Sequence, residues 1–398
     1  MLPMPERDHY DLAVSGAGMV GAALALALAR EHWRVAIAER RSASDCAMHD
    51  PYERVSLINA AASEFLADLG IDIARLGTPV LRMRVWDHQW PGSIQLDAED
   101  EGLPRLGYMV ENRALEQALH AALKDAGVTM HYGTQWQAGP LQDHHRLLDD
   151  GHGEAIATTL LAIAEGRESR LRDRCTPAPI WREDYRQQAI TATVWMERPH
   201  AGTAYQRFLP TGPLAVLPFS DDAGGQPRAS IVWSARNSLA RRLLALSDAE
   251  FLCRLQESFG AQLGRFTAIG KRGHYPLSAL HLSRYRSERA VVLGDSAHGV
   301  HPLAGLGVNL GFRDVAALRQ ILVEAQRQRR DWGSAAVLAQ YERQRRPDNL
   351  VTVLTCGALN RLFSNRSAAL AGLRDIGLMG SNLIPPVKAF FIRQATGL

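Results

Sequence analysis

Ser15-Gly16-Ala17-Gly18-Met19-Val20-Gly21 stands between an apolar run, Tyr10 to Ser15, and an Ala/Leu-rich stretch that reaches Arg30. The run reads as a strand and the stretch as a helix, and a second strand is predicted from Arg34 to Glu39. Strand, glycine turn, helix and strand in this order open a dinucleotide-binding βαβ unit. Gly16 permits the tight turn, Gly18 lets backbone approach a pyrophosphate, and Gly21 lets helix pack on strand. The helix start at Met19 and Val20 offers N–H groups and a positive dipole end to phosphates. Glu39 follows Gly21 by 18 positions, where an acid accepts hydrogen bonds from ribose hydroxyls; Arg40 beside it is a further candidate for binding the cofactor. The turn alone does not separate FAD from NAD.

Working outward, helices are expected over Val55 to Gly70 and Glu111 to Gly127, with extended chain from Val80 to Leu96 between them. Alternating segments from Val128 to Ile163 are broken by the polar run Gln142 to Glu154, whose Asp149-Asp150-Gly151-His152-Gly153 suits a hairpin loop. Strand-like runs such as Ala189 to Met196 and Leu214 to Phe219 suggest a second sheet over a substrate cavity. Ser247 to Phe259 reads as helix, Ala290 to Leu293 as a short buried strand, and nearly everything from Leu310 onward as helix. No internal repeat or flexible linker separates these pieces.

Composition narrows the class. Hydrophobic residues at 46% are enough to fill a sizeable core, and a formal charge of +3 over 398 residues gives no footprint for nucleic acid. Cys46, Cys175, Cys253 and Cys356 form no CxxC pair, which argues against zinc and disulfides and for a reducing compartment. Glu6, Arg7 and Asp8 interrupt any secretion signal, and no apolar run is long enough to span a bilayer. A cytoplasmic protein is expected.

The stretch that chooses between cofactors lies far downstream: Gly294-Asp295-Ser296-Ala297-His298-Gly299-Val300-His301-Pro302-Leu303-Ala304-Gly305-Leu306-Gly307-Val308-Asn309-Leu310-Gly311-Phe312-Arg313-Asp314. It follows the predicted buried strand and runs into a helix. Asp295 at a strand end suits a ribityl hydroxyl, and Gly305 and Gly307 let backbone lie against a flat ring. The helix start beyond them favours negative charge on a reduced flavin. Here the sequence resembles the flavoprotein aromatic hydroxylases, p-hydroxybenzoate hydroxylase-like, and within them the FAD-dependent hydroxylases of ubiquinone biosynthesis. That family's pattern, GDAAHxxxPxxGQGxNxGxxD, is met at Gly294, Asp295, Ala297, His298, Pro302, Gly305, Gly307, Asn309, Gly311 and Asp314. Similar pieces at Glu53 to Asn59, Glu111-Asn112-Arg113, Leu209 to Pro218 and Ala395 to Leu398 extend the resemblance over essentially the whole chain.

The resemblance implies an α/β fold: a Rossmann-like FAD-binding domain from 1–75, 105–185 and 285–325, an interleaved β-sheet substrate domain from 76–104 and 186–284, and a helical C-terminal region, 326–398. It implies that Arg54 and Arg113 reach FAD and that Pro302, Gly305, Leu306 and Gly307 flank its isoalloxazine, with Val308 and Asn309 following. No side chain is assigned as catalytic, because the flavin carries the hard chemistry. The implied reaction uses NADH or NADPH and O2, through a flavin C4a-hydroperoxide, to hydroxylate the aromatic ring of a lipophilic, polyprenylated ubiquinone precursor. Two positions depart from the pattern. Glu165 in Ala164-Glu165-Gly166-Arg167 stands where the family has Asp, and Leu306 replaces the Gln of its GQG element. These departures leave open a non-catalytic FAD-binding assembly subunit; a hydroxylase of a soluble phenol and a flavin reductase or dehydrogenase on the same fold are further alternatives.

His298 and His301 have HxxH spacing but no third ligand pattern, so no metal is assigned; the resemblance gives His298 the ordering of the cofactor loop. Trp86, Trp90, Trp195 and Trp233 are read as core or interface. From 351 to 398, five cations, Arg361, Arg366, Arg374, Lys388 and Arg393, face one acid, Asp375, among Leu378, Met379, Leu383, Ile384, Phe390, Phe391 and Ile392. Such a segment fits the inner face of a membrane or a ubiquinone-biosynthesis complex, and equally fits packing on its own domain.

Overall fold

In the computed structural model, which describes residues 8–48, 54–87, 93–142, 144–151, 155–301, 307–363 and 397, the chain opens with strand His9–Ser15, helix Met19–Ala29 and strand Val35–Glu39. The strands are parallel, with Leu12 beside Val35 and Ser15 beside Ala38. The helix is buried without a break from Gly21 to Leu28, so its composition is apolar all round rather than on one stripe. Thr129–Tyr132 extends the parallel sheet on one side, and Ala155–Ile163 and Ala290–Val292 extend it on the other. The C-terminal ends of these strands share one edge. That edge gathers Gly16, Glu39, Glu165 and Gly294, which the sequence spreads over most of the chain.

A second, nine-stranded sheet is centred on Ile180–Met196, which pairs antiparallel with Arg228–Arg236 and with Gly273–Leu282. Beyond Arg228–Arg236 come Gly212–Phe219, Thr203–Leu209, Arg82–Asp87 and Ser93–Asp97; at the other edge lies the short strand His298–Gly299. Ala290–Val292 thus belongs to the first sheet and His298–Gly299 to the second. The downstream motif is the crossing between the two. Strand Ile180–Met196 runs through the division expected at 185/186.

Two expectations are corrected. Val55 to Gly70 is not one helix: Val55–Asn59 is a strand, and the helix is Ala60–Asp68. The five strand residues are all buried and pair with Gly107–Glu111, which also holds Gly77–Val80 in a three-stranded sheet. Asn59 ends the strand and starts the helix, its side chain accepting from the Ala62 N–H. The polar run from Gln142 contains a strand, His145–Asp149, because Arg146 and Leu148 turn inward against Ala155–Ile163. The hairpin between those strands stands where expected, with 152–154 outside the described residues. Helices Gly307–Arg327 and Ala335–Phe363 follow; none of the described helices is long and apolar enough to cross a membrane.

Candidate cofactor and substrate site

The first turn has no space to spare at two glycines. Gly16 has φ +101°, and a Cβ there would lie 2.5 Å from the Ala164 carbonyl oxygen; a Cβ on Gly21 would lie 1.9 Å from the Gly16 carbonyl oxygen. Gly18 is different. It caps helix Met19–Ala29 with no side-chain hydrogen bond to the first turn, and nothing but Glu116 Oε1, at 3.9 Å, stands near its missing Cβ. Uncapped N–H groups under open backbone are what a pyrophosphate needs, so these residues fit a dinucleotide.

Glu39 is buried at the strand end. Its Oε1 accepts from Arg41 Nε at 2.9 Å and from the Arg41 N–H at 3.0 Å, and its Oε2 accepts from the Ala17 N–H at 3.3 Å. Burial would raise its pKa, but these bonds outweigh burial and hold the carboxyl below its ordinary value. Arg41 also reaches Glu116, which Arg113 shares at 3.2 Å, while the buried Arg113 Nε has no partner among the described residues. Arg40, in contrast, is exposed. Arg41 and Glu116 thus join the cluster although sequence reading missed them; the signal for Arg41 was its place two residues beyond a strand-ending acid.

Glu165 spans Ser15 Oγ and Ser169 Oγ, each donating at 2.6 Å. Its longer arm clips the turn after Ile163 to the end of the first strand. Arg167, two residues on, bonds Asp295 at 3.1 Å, the Ser278 carbonyl at 2.5 Å and the Val300 carbonyl at 2.9 Å. One guanidinium thereby joins the first sheet's edge, the second sheet and the crossing segment.

Beneath the crossing, Asp314 is fully buried. Its Oδ2 accepts from the Gly294 N–H at 3.0 Å and meets His298 Nε2 at 2.5 Å; its Oδ1 accepts from Arg345 Nε at 2.9 Å and Asn349 Nδ2 at 3.1 Å. Burial pushes the carboxyl up, yet His298, Arg345 and Asn349 outweigh it and hold its pKa at about 2. Asn309 pairs with a strand by its side chain, donating to the Leu57 carbonyl at 2.7 Å and accepting from the Asn59 N–H at 3.1 Å. Val20 sits against both Gly294 and Gly311, so the two motifs touch directly. Gly307 and Val308 begin the helix; Pro302, Gly305 and Leu306 lie outside the described residues, as do Trp90 and 364–396. Arg54 lies near enough to Tyr275 to oppose the upward push that burial gives that phenol.

Beside this edge an apolar cluster combines Val55, Leu57 and Met109 with Ala215, Leu217, Ala279 and Val300 and with Val353, Cys356 and Leu359 of the last helix. Trp86 and Trp233 instead pack with the phenylalanines of helix Asp248–Phe259, and Trp195 donates to Asp222.

A family model described as FAD binding domain matches residues 9–352. The ubiquinone hydroxylase UbiL of Rhodospirillum rubrum is 36% identical over 97% of this chain and 89% of its own. The 3-demethoxyubiquinol 3-hydroxylase of Escherichia coli is 33% identical over 98% of both chains, and the human mitochondrial ubiquinone biosynthesis monooxygenase COQ6 is 30% identical over 95% and 91%. Among solved structures, PqsL of Pseudomonas aeruginosa, a probable FAD-dependent monooxygenase, superposes with a TM-score of 0.73 at 24% identity, covering 92% of this chain and all of that one. The p-nitrophenol 4-monooxygenase PnpA of Pseudomonas putida gives 0.74 at 17% identity over 98% and 99%. These two establish likeness of fold.

Proposed function

Since the chain belongs to the FAD-binding-domain family, and within it to the FAD-dependent hydroxylases of ubiquinone biosynthesis, we propose that it hydroxylates the aromatic ring of a polyprenylated ubiquinone precursor with NAD(P)H and O2. FAD, when bound and reduced, supplies the activated oxygen. Gly16 to Gly21 and the start of helix Met19–Ala29 would hold its pyrophosphate, Glu39 its ribose, and Arg54, Arg113 and Asp295 further polar contacts. The expected flavin-flanking residues are Pro302, Gly305, Leu306 and Gly307. The apolar cluster over the crossing segment excludes water from the reacting ring and accepts a greasy substituent. Arg167 holds cofactor edge and substrate sheet in one arrangement. The observation that carries the reading is the direct packing of Val20 on Gly294 and Gly311, which joins the two motifs at one site.

The decisive experiment supplies purified protein with FAD, NAD(P)H, a prenylated phenol and labelled O2. One labelled oxygen on the ring is expected; unlabelled product throughout would remove the hydroxylase reading. The basic, apolar 351–398 segment supports contact with an anionic membrane surface or a biosynthetic complex, and the described part of that helix exposes Val351 and Leu354. Salt-sensitive co-sedimentation with anionic vesicles is expected, and absence of pelleting at low salt counts against membrane contact.

A further inference from the structure

His301 is 1% exposed, and neither of its ring nitrogens has a hydrogen-bond partner among the described residues. Its ring stands edge-on to Tyr185, with centroids 5.2 Å apart, and the buried Tyr185 hydroxyl also lacks a partner among the described residues. Three unsatisfied polar atoms side by side in an apolar setting are costly unless a ligand or an ordered water answers them. The backbone puts Tyr185 there on purpose. Asp184 pairs with Ser278 and Gln187 with Leu277, so Tyr185 and Arg186 are extra residues in a bulge, and Arg186 takes φ +54°. Bulges beside sites re-aim side chains. Room for the phenol is left by Gly357 of the last helix, where a Cβ would come within 3.3 Å of the Tyr185 oxygen.

Tyr185 belongs to the second sheet, the one proposed to face the substrate. Val300, adjacent to His301, belongs to the apolar cluster with Val353, Cys356 and Leu359, against which Tyr185 packs. Arg167 bonds the carbonyls of Val300 and Ser278, the neighbours of His301 and of the bulge, and carries positive charge toward the same place. A neutral imidazole offers one donor and one acceptor, and a phenol offers both. The imidazole acceptor and the phenol donor together complement a hydroxyl on a ring, and the imidazole N–H is left to an ordered water.

We propose that His301 and Tyr185 form the subsite that takes the phenolic hydroxyl of the substrate, His301 accepting its proton in a hydrogen bond and Tyr185 donating to its oxygen, so that this contact fixes which ring carbon faces the cofactor. The proposal rests on the hydroxylase reading. Burial pushes the His301 pKa down to about 3, with Arg167 adding to the shift, which keeps the ring neutral and able to accept.

The test compares 2-farnesylphenol with its methyl ether, titrated into FAD-loaded protein and followed by perturbation of the flavin spectrum. The ether fills the same apolar space but cannot donate. Wild-type protein is expected to bind the phenol about tenfold more tightly, the scale of one or two buried hydrogen bonds. In Tyr185→Phe and His301→Gln the preference should shrink to about twofold while FAD affinity stays unchanged; should His301→Gln lose FAD, Tyr185→Phe decides. Equal binding of the two probes by wild type, or a preference kept in the variants, overturns the subsite alone. No perturbation by either probe overturns the hydroxylase reading with it.

Discussion

Replacing Gly311 by alanine places a Cβ 2.4 Å from Val20 Cγ2 and 3.3 Å from Cγ1, but 3.5 Å from Val20 Cβ. The first distance is a collision, the second a tight contact and the third an ordinary one. Forcing a methyl to within 2.4 Å of another carbon costs about 2–3 kcal/mol, the upper part of the overpacking range, against which alanine gains about 1 kcal/mol of helix propensity over glycine. Gly311→Ala should therefore destabilise by about 1–2 kcal/mol. Val20→Ala alone, removing two methyls from a half-buried side chain, should cost about 1 kcal/mol. If the effects were independent, the double variant would lose about 2–3 kcal/mol. With both methyls gone it should instead lose close to nothing, giving a coupling of about 2 kcal/mol. Urea unfolding of the FAD-free proteins measures this from midpoints at unchanged slope. Additivity within about 0.5 kcal/mol would refute direct contact between the two motifs.

Glu39→Gln, which removes the charge but keeps the shape, should weaken FAD binding about tenfold, the scale of a charge-assisted hydrogen bond, read by equilibrium flavin fluorescence; unchanged affinity would count against the ribose role. Arg167→Met should leave FAD affinity within about threefold while cutting substrate stimulation of NAD(P)H oxidation by about tenfold, on the scale of one or two charge-assisted bonds; stimulation at the wild-type level would remove its linking role. Asp314→Asn strands Arg345 in the interior and should destabilise by about 3–5 kcal/mol, measured by urea midpoint. For acid, the signs differ in window. Asp314 is favoured ionised in the fold, so its stabilisation is complete above the unfolded value near 4 and fades as pH falls toward about 2. His301 is favoured neutral, so its contribution is complete above about 6.5 and fades as pH falls toward about 3. Between pH 6.5 and 4.5 wild type should lose about 2 kcal/mol more than His301→Gln; equal losses would deny the burial of that ring.

What the sequence yielded follows from distance along the chain. The first turn was legible because strand, glycines, helix and terminal acid are consecutive, and each step constrains the next. Asn59 explains the failure at 55–70: Val55-Ser56-Leu57-Ile58 carries branched residues that suit a strand, but its partner, Gly107–Glu111, is fifty residues away, and only the cap marked the boundary. His145–Asp149 was hidden by the polar residues around Leu147 and Leu148. The bulge at Tyr185 had no local sign, because it exists only relative to Ser278 and Leu277 across the sheet. The Glu39–Arg41–Glu116–Arg113 cluster was half visible: its arginine at 113 came from family resemblance, whereas Glu116 needed the packing of helix Asn112–Asp125 on the nucleotide edge.

The crossing from Ala290–Val292 to His298–Gly299 gives these residues a common logic. A segment that leaves one sheet and joins another within a few residues has little regular hydrogen bonding of its own, so side chains must fix it. Asp314 fixes its start through the Gly294 N–H and its end through His298, and Arg167 fixes it from the opposite side at Asp295 and Val300. Both anchors are charged and substantially buried, and such groups hold one geometry only while every partner is present. The edge proposed for the cofactor and the sheet proposed for the substrate therefore share one crossing segment. A ring oxygen held at His301 would then be positioned by the same bonds that bind the fold together.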